Sequence, residues 1–475
     1  MEKQLTEFRG KTYPLDATAT LKDKISIAIA PVFFMLAISF AGFARNNISP
    51  IVCEEANSSE YYALILLIST LAGTIMAPVV GRLGDMLGRR RLSLICLIPF
   101  IGSLLLIGVA KGPLLLGIGY GFLGLFYTSL NSVSNGLIID VFDSATRTRF
   151  LSYLNSANAL AAMLGPKLVG MLADKIGAQH GMMCLTVLLG IAWLLLIFTY
   201  PDIRYVDKSK HLDVKGMILL PLAIGPGMIA LSVGGKQLPW TSPWVIGMIV
   251  CSVIFCVVFY KAELKQEMPV VNFKMLSNKI VLPSLLFVFF LNSTGGLATY
   301  LNLYCREILE FSASDLGGLQ FFAWLPAVIV PIVGIYLSKS NNFKLVFVIS
   351  GVLHVICALC YYFLLTPGVS AFGAACIKIP QFLTACLVLA PMNAYLGGLL
   401  SPIERGMGLA LIAFFGTFGT SLFTALYAMV FNMIPGGIQA AFPVLSLITG
   451  AIGVIRIVIA LVYTKKISGD ESPVA

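Results

Sequence analysis

Charged side chains are scarce in this chain. Only 11% of its 475 residues are Asp, Glu, Lys or Arg, whereas 58% are hydrophobic. Soluble globular proteins carry roughly a quarter of their residues as charges. So few charges cannot cover a water-facing surface, and the composition therefore excludes a soluble globular protein. Most of the molecular surface must face lipid.

Acidic side chains are missing from the middle of every long apolar run. A desolvated organic cation would therefore find no ion-pair partner there. The chain also has only three histidines and no G-x-x-x-x-G-K-[ST] phosphate-binding loop, and no connector is long enough for an ATPase domain. We expect no catalytic residues, no metal, no cofactor and no ATP-driven step.

Long apolar runs are what the chain does contain. Fourteen of them reach about 18 residues or more, enough to cross a hydrocarbon core of about 30 Å as a helix. They lie at 25–44, 61–80, 92–110, 113–139, 150–173, 182–200, 216–234, 243–260, 280–303, 316–337, 345–365, 370–399, 407–432 and 439–464. The first run is long enough to remain a span, so we expect no cleavable signal peptide. Because the runs are continuous and do not alternate like barrel strands, the sequence predicts an all-α integral membrane protein with 14 transmembrane helices.

Basic side chains are concentrated on one side of these spans. Of the 32 lysines and arginines, 24 lie in the termini and in every second connector, and 5, including Arg45, lie in the other connectors. Cytoplasmic loops are enriched in Lys and Arg, so this predicts a multi-pass protein of the cell membrane with both termini in the cytoplasm. The net charge of +10 then faces the lipid bilayer, and no nucleic-acid partner is expected.

The connector 81–91 combines spaced glycines with an aspartate and a basic cluster, in the sequence GRLGDMLGRRR. Glycines permit a tight turn and close helix approach, and an aspartate near a helix N-terminus can pair with an arginine. The connector resembles the signature of the major facilitator superfamily at Gly81, Leu83, Gly84, Asp85, Gly88, Arg89 and Arg90. The resemblance implies a cytoplasmic gate at these residues.

Two further connectors carry arginines that are candidates for the same gate. Arg147 lies in DSATRTR and Arg405 lies in SPIERG, in matching positions of the two halves that the resemblance implies. The alternative is that these arginines, like those of 81–91, only anchor their loops on the cytoplasmic side.

The superfamily resemblance implies two six-helix halves that rock about a central binding site. Two of the 14 spans are then additional, and the stretch 212–244 resembles the inserted helix pair of the fourteen-helix drug:proton antiporter branch, a layout that bacterial bile-acid permeases share. We therefore expect a cytoplasmic segment at 1–24, an N-terminal half at 25–200, an inserted pair with its loops at 201–279, a C-terminal half at 280–464 and a cytoplasmic tail at 465–475.

Spans four and five depart in part from that branch. Span five reads LGPKLVGML, in which Gly165, Pro166 and Gly170 match the antiporter signature and imply a kinked helix. In span four, Tyr120 stands where the family has an arginine implicated in proton coupling, and a tyrosine stays neutral at physiological pH. Tyr120 is thus a candidate for substrate binding or coupling that lacks the arginine's charge.

Bases occupy the predicted membrane interior. Lys167 in span five and Lys378 in span twelve lie about 10–12 Å from the outer ends of their spans at a 1.5 Å rise per residue. A charge at such depth is by default a functional residue, so both are candidates to bind an anionic substrate. The alternative is that each amine extends to the headgroups. For Arg456 in span fourteen we predict that extension, and for His354 a packed, hydrogen-bonded position.

Two spans carry unusual numbers of polar side chains. Span nine contains Asn292, Thr299 and Tyr300, and span four contains Asn131. Hydroxyl and amide groups in hydrocarbon need partners, so these helices either face a wet cavity or hydrogen-bond to neighbouring helices. We count the four residues as candidates for substrate contact.

Three functions remain open from the sequence. The favoured one is a monomeric secondary transporter of a small organic solute, an amphipathic anion by the buried bases, driven by a proton or solute gradient. The second is a proton-driven efflux antiporter for hydrophobic drugs, which the branch resemblance implies. The third is a membrane sensor on a transporter fold, and a membrane enzyme is the least supported.

Overall fold

The computed structural model describes residues 6–8, 11–13, 20–142, 144–203, 213–266, 269–271, 273–325, 343–400 and 402–464. The chain forms two compact units. The first contains Met1–Leu212 together with Ser312–Gly317, and the second contains Asp213–Phe311 and Gly318–Ala475. Near the N-terminus, strands β1 (Thr6–Phe8) and β2 (Lys11–Tyr13) pair antiparallel. All other regular structure in the described residues is helical.

Six long helices build the first unit. They are α1 (Leu21–Glu55), α2 (Tyr62–Leu87), α3 (Arg89–Val109), α4 (Pro113–Val141), α5 (Ser144–Ile176) and α6 (Ala178–Thr199). A short 3₁₀ turn, Ser59–Tyr61, precedes α2. Helix α1 packs against α4, α5 and α6, and α2 packs along α4.

The second unit begins with the pair that the sequence marks as inserted, α7 (Val214–Val233) and α8 (Pro243–Glu263), which pack against each other. Its other helices are α9 (Phe273–Leu276), α10 (Val281–Leu291), α11 (Ser293–Glu307), α12 (Ala313–Trp324), α13 (Phe343–Leu364), α14 (Ala371–Leu399), α15 (Pro402–Met433) and α16 (Gly437–Tyr463). Helix α12 starts in the segment Ser312–Gly317 and continues into the second unit.

Thirteen spans in the described residues are long and apolar enough to cross a membrane. The predicted all-α membrane fold is confirmed. The one predicted span without a full counterpart is 316–337, whose first part is α12 and whose residues 326–337 lie outside the described residues. Predicted span nine consists of α10 and α11, which are separated at Asn292.

Helix α1 is longer than the sequence predicted. The predicted span ended at residue 44, before Arg45-Asn46-Asn47, but the helix continues to Glu55. The polar groups are accommodated because they find partners: the amide of Asn47 donates to the Phe43 carbonyl one turn earlier, and Arg45 donates to Ser69 of α2. The placement of Arg45 in a connector is therefore wrong, since this residue is buried inside a membrane helix.

Close approach between α2 and α4 depends on glycine. A methyl group at Gly124 would overlap the backbone carbonyl of Ser69, so only a residue without a side chain fits there. This contact positions the hydroxyl of Ser69, which donates to the Tyr120 carbonyl at 2.6 Å. The sequence thus sets the geometry of a polar site between α1, α2 and α4.

The core of the second unit is rich in aromatic side chains. Phe287 of α10, Phe347 of α13 and Tyr395 of α14 are all buried and contact one another through Phe347. Because lipid offers no hydrophobic driving force between membrane helices, van der Waals packing of such side chains helps to hold the helices together.

Candidate functional site

Arg89, the first arginine of the signature, joins α3 to α4. Its Nη1 forms an ion pair with Asp140 at 2.6 Å and donates to the Gly136 carbonyl at 2.9 Å. A side chain at position 136 would overlap the Arg89 guanidinium, so this glycine makes room for it. The buried carboxylate of Asp140 is therefore one partner of the signature arginine.

Arg90 and Arg91 join the start of α3 to the end of α6. Arg90 donates to the carbonyls of Leu196 and Ile197, and Arg91 forms an ion pair with Asp202 at 2.8 Å. Basic side chains near a helix C-terminus satisfy its free carbonyl groups. These contacts fit the anchoring interpretation as well as a gate.

The remaining gate candidates are only partly described. Gly81 and Gly84 lie in α2, and Gly88 joins α2 to α3 with a φ of 84°, which a residue with a side chain rarely adopts. Asp85, Arg147 and Arg405 lie in α2, α5 and α15. The side chains of these three residues lie outside the described part of the structure.

Lys167 and the α5 glycines contact the segment Ser312–Gly317. The amine of Lys167 donates to the Ser314 carbonyl at 2.9 Å. Gly170 lies against the Ala313 backbone and Gly165 against Phe40 of α1, while α5 runs on through Pro166 to Ile176. The Lys167 amine thus already has a backbone carbonyl as its hydrogen-bond acceptor.

Asp174 of α5 contacts the same segment, Ser312–Gly317. Its two carboxylate oxygens accept from the backbone N–H groups of Ala313 and Ser314 at 3.0 and 3.1 Å. These are free donors at the start of α12, where a negative charge is favoured. Lys167 and Asp174 of α5 therefore both bind the backbone at the start of α12.

Lys378 on α14 is enclosed inside the second unit, with only 2% of the residue exposed. Its amine lies 3.3 Å from Oε1 of Gln320 on α12 and 5.7 Å from the centre of the Phe382 ring. Within the described residues, no carboxylate lies within salt-bridge distance of this amine. The headgroup alternative fails for Lys378, because the amine is covered by protein.

Arg456 on α16 is also fully buried, so the prediction that it extends to the headgroups is wrong. Its guanidinium donates to Nδ1 of His354 and to Oγ of Ser350, both at 2.8 Å, and stacks 4.3 Å from the centre of Phe287. A buried cation is tolerated when hydrogen-bond acceptors and an aromatic face surround it. His354 is the packed, hydrogen-bonded residue that the sequence predicted.

The polar residues of α10–α11 mostly bond to neighbouring helices. Oδ1 of Asn292 accepts from Thr420 at 3.2 Å, and the hydroxyl of buried Tyr300 donates to the Thr424 carbonyl at 3.2 Å. Thr299, and Asn131 on α4, are half-buried. The helix-contact alternative therefore accounts for Asn292 and Tyr300.

Arg45 is the functional candidate that sequence reasoning missed. It lies on α1 between α2 and α4, where its Nη1 donates to Ser69 at 2.8 Å and the Tyr127 ring centre is 5.6 Å away. Tyr120, the candidate of span four, is buried beside the same polar site. The sequence signal was present, because Arg45 follows the first apolar run directly, but a helix end was placed there.

Comparisons with known proteins are consistent with this architecture. A family model described as "Major Facilitator Superfamily" matches residues 33–424. Multidrug resistance protein 3 of Bacillus subtilis (strain 168) is 26% identical over 285 residues, which are 60% of this chain and 55% of that protein. The chain spans about half the length of the first curated relatives that it matches.

Two other similarities extend over nearly the whole chain. Quinolone resistance protein NorB of Staphylococcus aureus (strain MRSA252) is 24% identical over 451 residues, covering 90% of this chain and 94% of NorB. The solved structure of the POT family transporter PepTSo has a TM-score of 0.66 at 12% identity, covering 92% of this chain and 96% of that one. At this identity the structural likeness shows the fold alone.

Proposed function

The chain belongs to the Major Facilitator Superfamily, and on that premise we propose that it is a secondary active transporter that moves an organic solute across the cell membrane by alternating access. The solute crosses chemically unchanged, and a proton or solute gradient supplies the energy. The favoured cargo is an amphipathic organic anion.

Lys378 is the observation that supports an anionic cargo. Its amine is buried, and the partners described for it are the neutral oxygen of Gln320 and the ring of Phe382. A buried charge is costly unless it is paired, and a transported anion is a partner that this amine lacks in its resting state. Gln320 and Phe382 hold the amine in place without neutralising it.

A proton-driven drug exporter is the second candidate. It is supported by the resemblance to a multidrug resistance protein and to NorB, whose length the chain nearly covers. The sequence opposes cationic drugs, because no acidic residue lies near the middle of a predicted span. Export of a neutral or anionic hydrophobic compound is compatible both with the resemblance to drug exporters and with the lack of acidic residues in the middle of the predicted spans.

Orientation and assembly belong to the same proposal. The excess of Lys and Arg in alternate connectors supports cytoplasmic termini. We propose that the transporter works as a monomer in the lipid bilayer, with protons as the candidate coupling ion. The remaining gate and contact residues, Arg147, Arg405, Thr299 and Asn131, are proposed to act at the solute pathway.

Uptake into proteoliposomes tests the proposal. The probe is radiolabelled 4-butylbenzenesulfonate, a permanently charged amphipathic anion that crosses bare lipid slowly, supplied with and without a pH gradient. Lys378→Met removes the charge and keeps the length of the side chain, and Lys378→Arg keeps the charge. Lys111→Met, at an exposed position between α3 and α4, is the matched control.

We expect saturable uptake by the wild type, Lys378→Arg and Lys111→Met, and a loss of more than tenfold in Lys378→Met. Equal uptake by both Lys378 variants would refute a role for this charge. Absence of flux of any solute in the wild type would instead favour the sensor alternative.

A further inference from the structure

Arg45 is a buried cation whose described hydrogen-bond partners are neutral. Its guanidinium is held by two neutral acceptors, Oδ1 of Asn46 at 3.0 Å from Nε and Oγ of Ser69 at 2.8 Å from Nη1. Among the described residues, no carboxylate lies within salt-bridge distance of it. Arginine inside a protein is effectively always charged, and a charge within a membrane helix marks a functional site by default.

The exposure pattern of α1 shows where this cation can be reached. Between Ala30 and Cys53, Asn46 is the one residue of α1 that is exposed. Polar side chains on membrane helices face the interior of a bundle or a water-filled space, because hydrocarbon offers them no hydrogen bonds. The exposed amide of Asn46, whose Oδ1 accepts from Nε of Arg45, is therefore expected to face water, so that a solute could reach the guanidinium from this side.

Two tyrosines of α4 belong to the same polar site as Arg45. The ring centre of Tyr127 lies 5.6 Å from Arg45, and this half-buried ring fits because Gly42 of α1 leaves space for it. Tyr120 is fully buried, and its hydroxyl has no hydrogen-bond partner. A buried hydroxyl without a partner is uncommon, and Tyr120 is linked to Arg45 through Ser69, which accepts from the guanidinium and donates to the Tyr120 carbonyl.

A row of partly exposed apolar side chains runs along α1 to Asn46. Leu36, Phe40 and Phe43 are each partly exposed, and with Asn46 they follow the three- and four-residue spacing of one helix face. A ligand on this face would lay an apolar body along this row and bring a polar group to Asn46. The face thus has the chemistry of an amphipathic molecule.

We propose that Arg45 is the anchor of a binding site for an amphipathic organic oxyanion, a carboxylate or a sulfonate. The anion displaces the Asn46 amide oxygen, and two of its oxygens accept from Nε and Nη2, the parallel pair of donors on one edge of a guanidinium, while Nη1 keeps its hydrogen bond to Ser69. Its apolar body lies on Leu36, Phe40 and Phe43. This inference rests on the proposed transport function and assigns the recognition of the anionic group to a residue of the first unit.

Equilibrium binding to the purified full-length protein tests this site without transport. The probe is radiolabelled 4-butylbenzenesulfonate, with neutral 4-butylbenzyl alcohol as the competitor that lacks the charge. Arg45→Gln removes the cation. Asn46→Asp places a permanent carboxylate beside Nε that competes with the ligand, whereas Asn46→Ser keeps a neutral acceptor and serves as the matched control.

We expect wild type and Asn46→Ser to bind the sulfonate with similar affinity, and Arg45→Gln and Asn46→Asp to bind it at least tenfold more weakly. Excess alcohol should compete poorly. The Tm of each variant establishes that it is folded. Because Asn46→Asp retains Arg45 with an ion-pair partner, it keeps the test valid if Arg45→Gln does not fold.

Unchanged affinity in Asn46→Asp would overturn the proposal, as would a wild type that binds the alcohol as tightly as the sulfonate. Both results are compatible with transport of another solute. Failure of the proposed function itself is recognised separately, as a wild type that moves no solute into proteoliposomes.

Discussion

Arg456 donates a hydrogen bond to Nδ1 of His354 across 2.8 Å inside the second unit. Because a guanidinium can only donate, Nδ1 must be unprotonated, and the ring proton resides on Nε2. That proton faces Oγ of Ser293 at 3.3 Å. The pair joins α16, α13 and α11 and holds His354 neutral, so His354 cannot take up a second proton while this contact lasts.

Replacing Arg456 tests the structural part of this arrangement. Arg456→Leu leaves the acceptors of His354 and Ser350 without their donor, and we expect a loss of about 1–3 kcal/mol in stability, the cost of leaving buried polar groups without a hydrogen bond. Arg456→Lys keeps the charge but cannot serve both acceptors in one plane, so its loss should be smaller. Thermal unfolding in detergent measures both, and a Leu variant as stable as the wild type would contradict the assignment.

Position 354 should tolerate replacement of the histidine by a residue with a side-chain amide but not by one with a hydrocarbon side chain. The Oδ1 atom of His354→Asn can accept the Arg456 hydrogen bond in place of Nδ1, whereas His354→Leu cannot. We expect His354→Asn to transport with the wild-type pH profile, since the native imidazole stays neutral, and His354→Leu to lose stability. A pH profile shifted in the Asn variant would show that the histidine does titrate during transport.

The contrast between Arg456 and Arg45 shows what the sequence could and could not predict. Continuous apolar runs were enough to predict the spans, because hydrogen-bonded helices are the way a single apolar segment crosses lipid. The same reasoning failed where charges interrupt a run. It ended α1 before Arg45 and predicted that Arg456 extends to the headgroups. The partners of these arginines, Ser69 for Arg45 and His354 and Phe287 for Arg456, are distant in sequence and could not be identified from it.

The start of α6 is predicted to depend on Glu55, the last residue of α1. Its carboxylate oxygens accept from the backbone N–H groups of Ala178 and Gln179 at 2.7 and 2.8 Å, at the positive end of the helix dipole. Glu55→Ala should cost about 1–2 kcal/mol, and Glu55→Gln should cost less because an amide keeps one acceptor. Thermal unfolding of the two variants checks this order, and equal loss would contradict it.

Packing of α2 on α4 gives a prediction with an internal control. Gly124→Ala places a methyl group on the Ser69 carbonyl and should cost about 1–3 kcal/mol. Gly190→Ala on α6 faces open space and should be neutral or stabilising, since alanine favours a helix over glycine by about 1 kcal/mol. Both variants are compared by thermal unfolding, and a tolerated Gly124→Ala would show that α2 and α4 are less closely packed.

The sequence predicted that the candidate site contains a buried base, but it did not predict which residues contact that base. A lysine in the interior of predicted span twelve was visible in the sequence, because charge inside hydrocarbon is rare. That Gln320 and Phe382 hold its amine was not, since these contacts depend on how α12 and α14 pack. Lys167 illustrates the same limit, because its Ser314 acceptor lies in a segment that follows it by more than a hundred residues.

Charge selection by the wild-type protein tests the central claim most directly. The measurement is the initial rate of uptake into proteoliposomes of 4-butylbenzenesulfonate and of 4-butylphenyl-trimethylammonium, which share an apolar body and carry opposite permanent charges. Buried bases without described carboxylate partners predict saturable uptake of the sulfonate and no uptake of the ammonium compound above protein-free liposomes. Saturable uptake of the ammonium compound without uptake of the sulfonate would contradict the proposal that the protein carries organic anions.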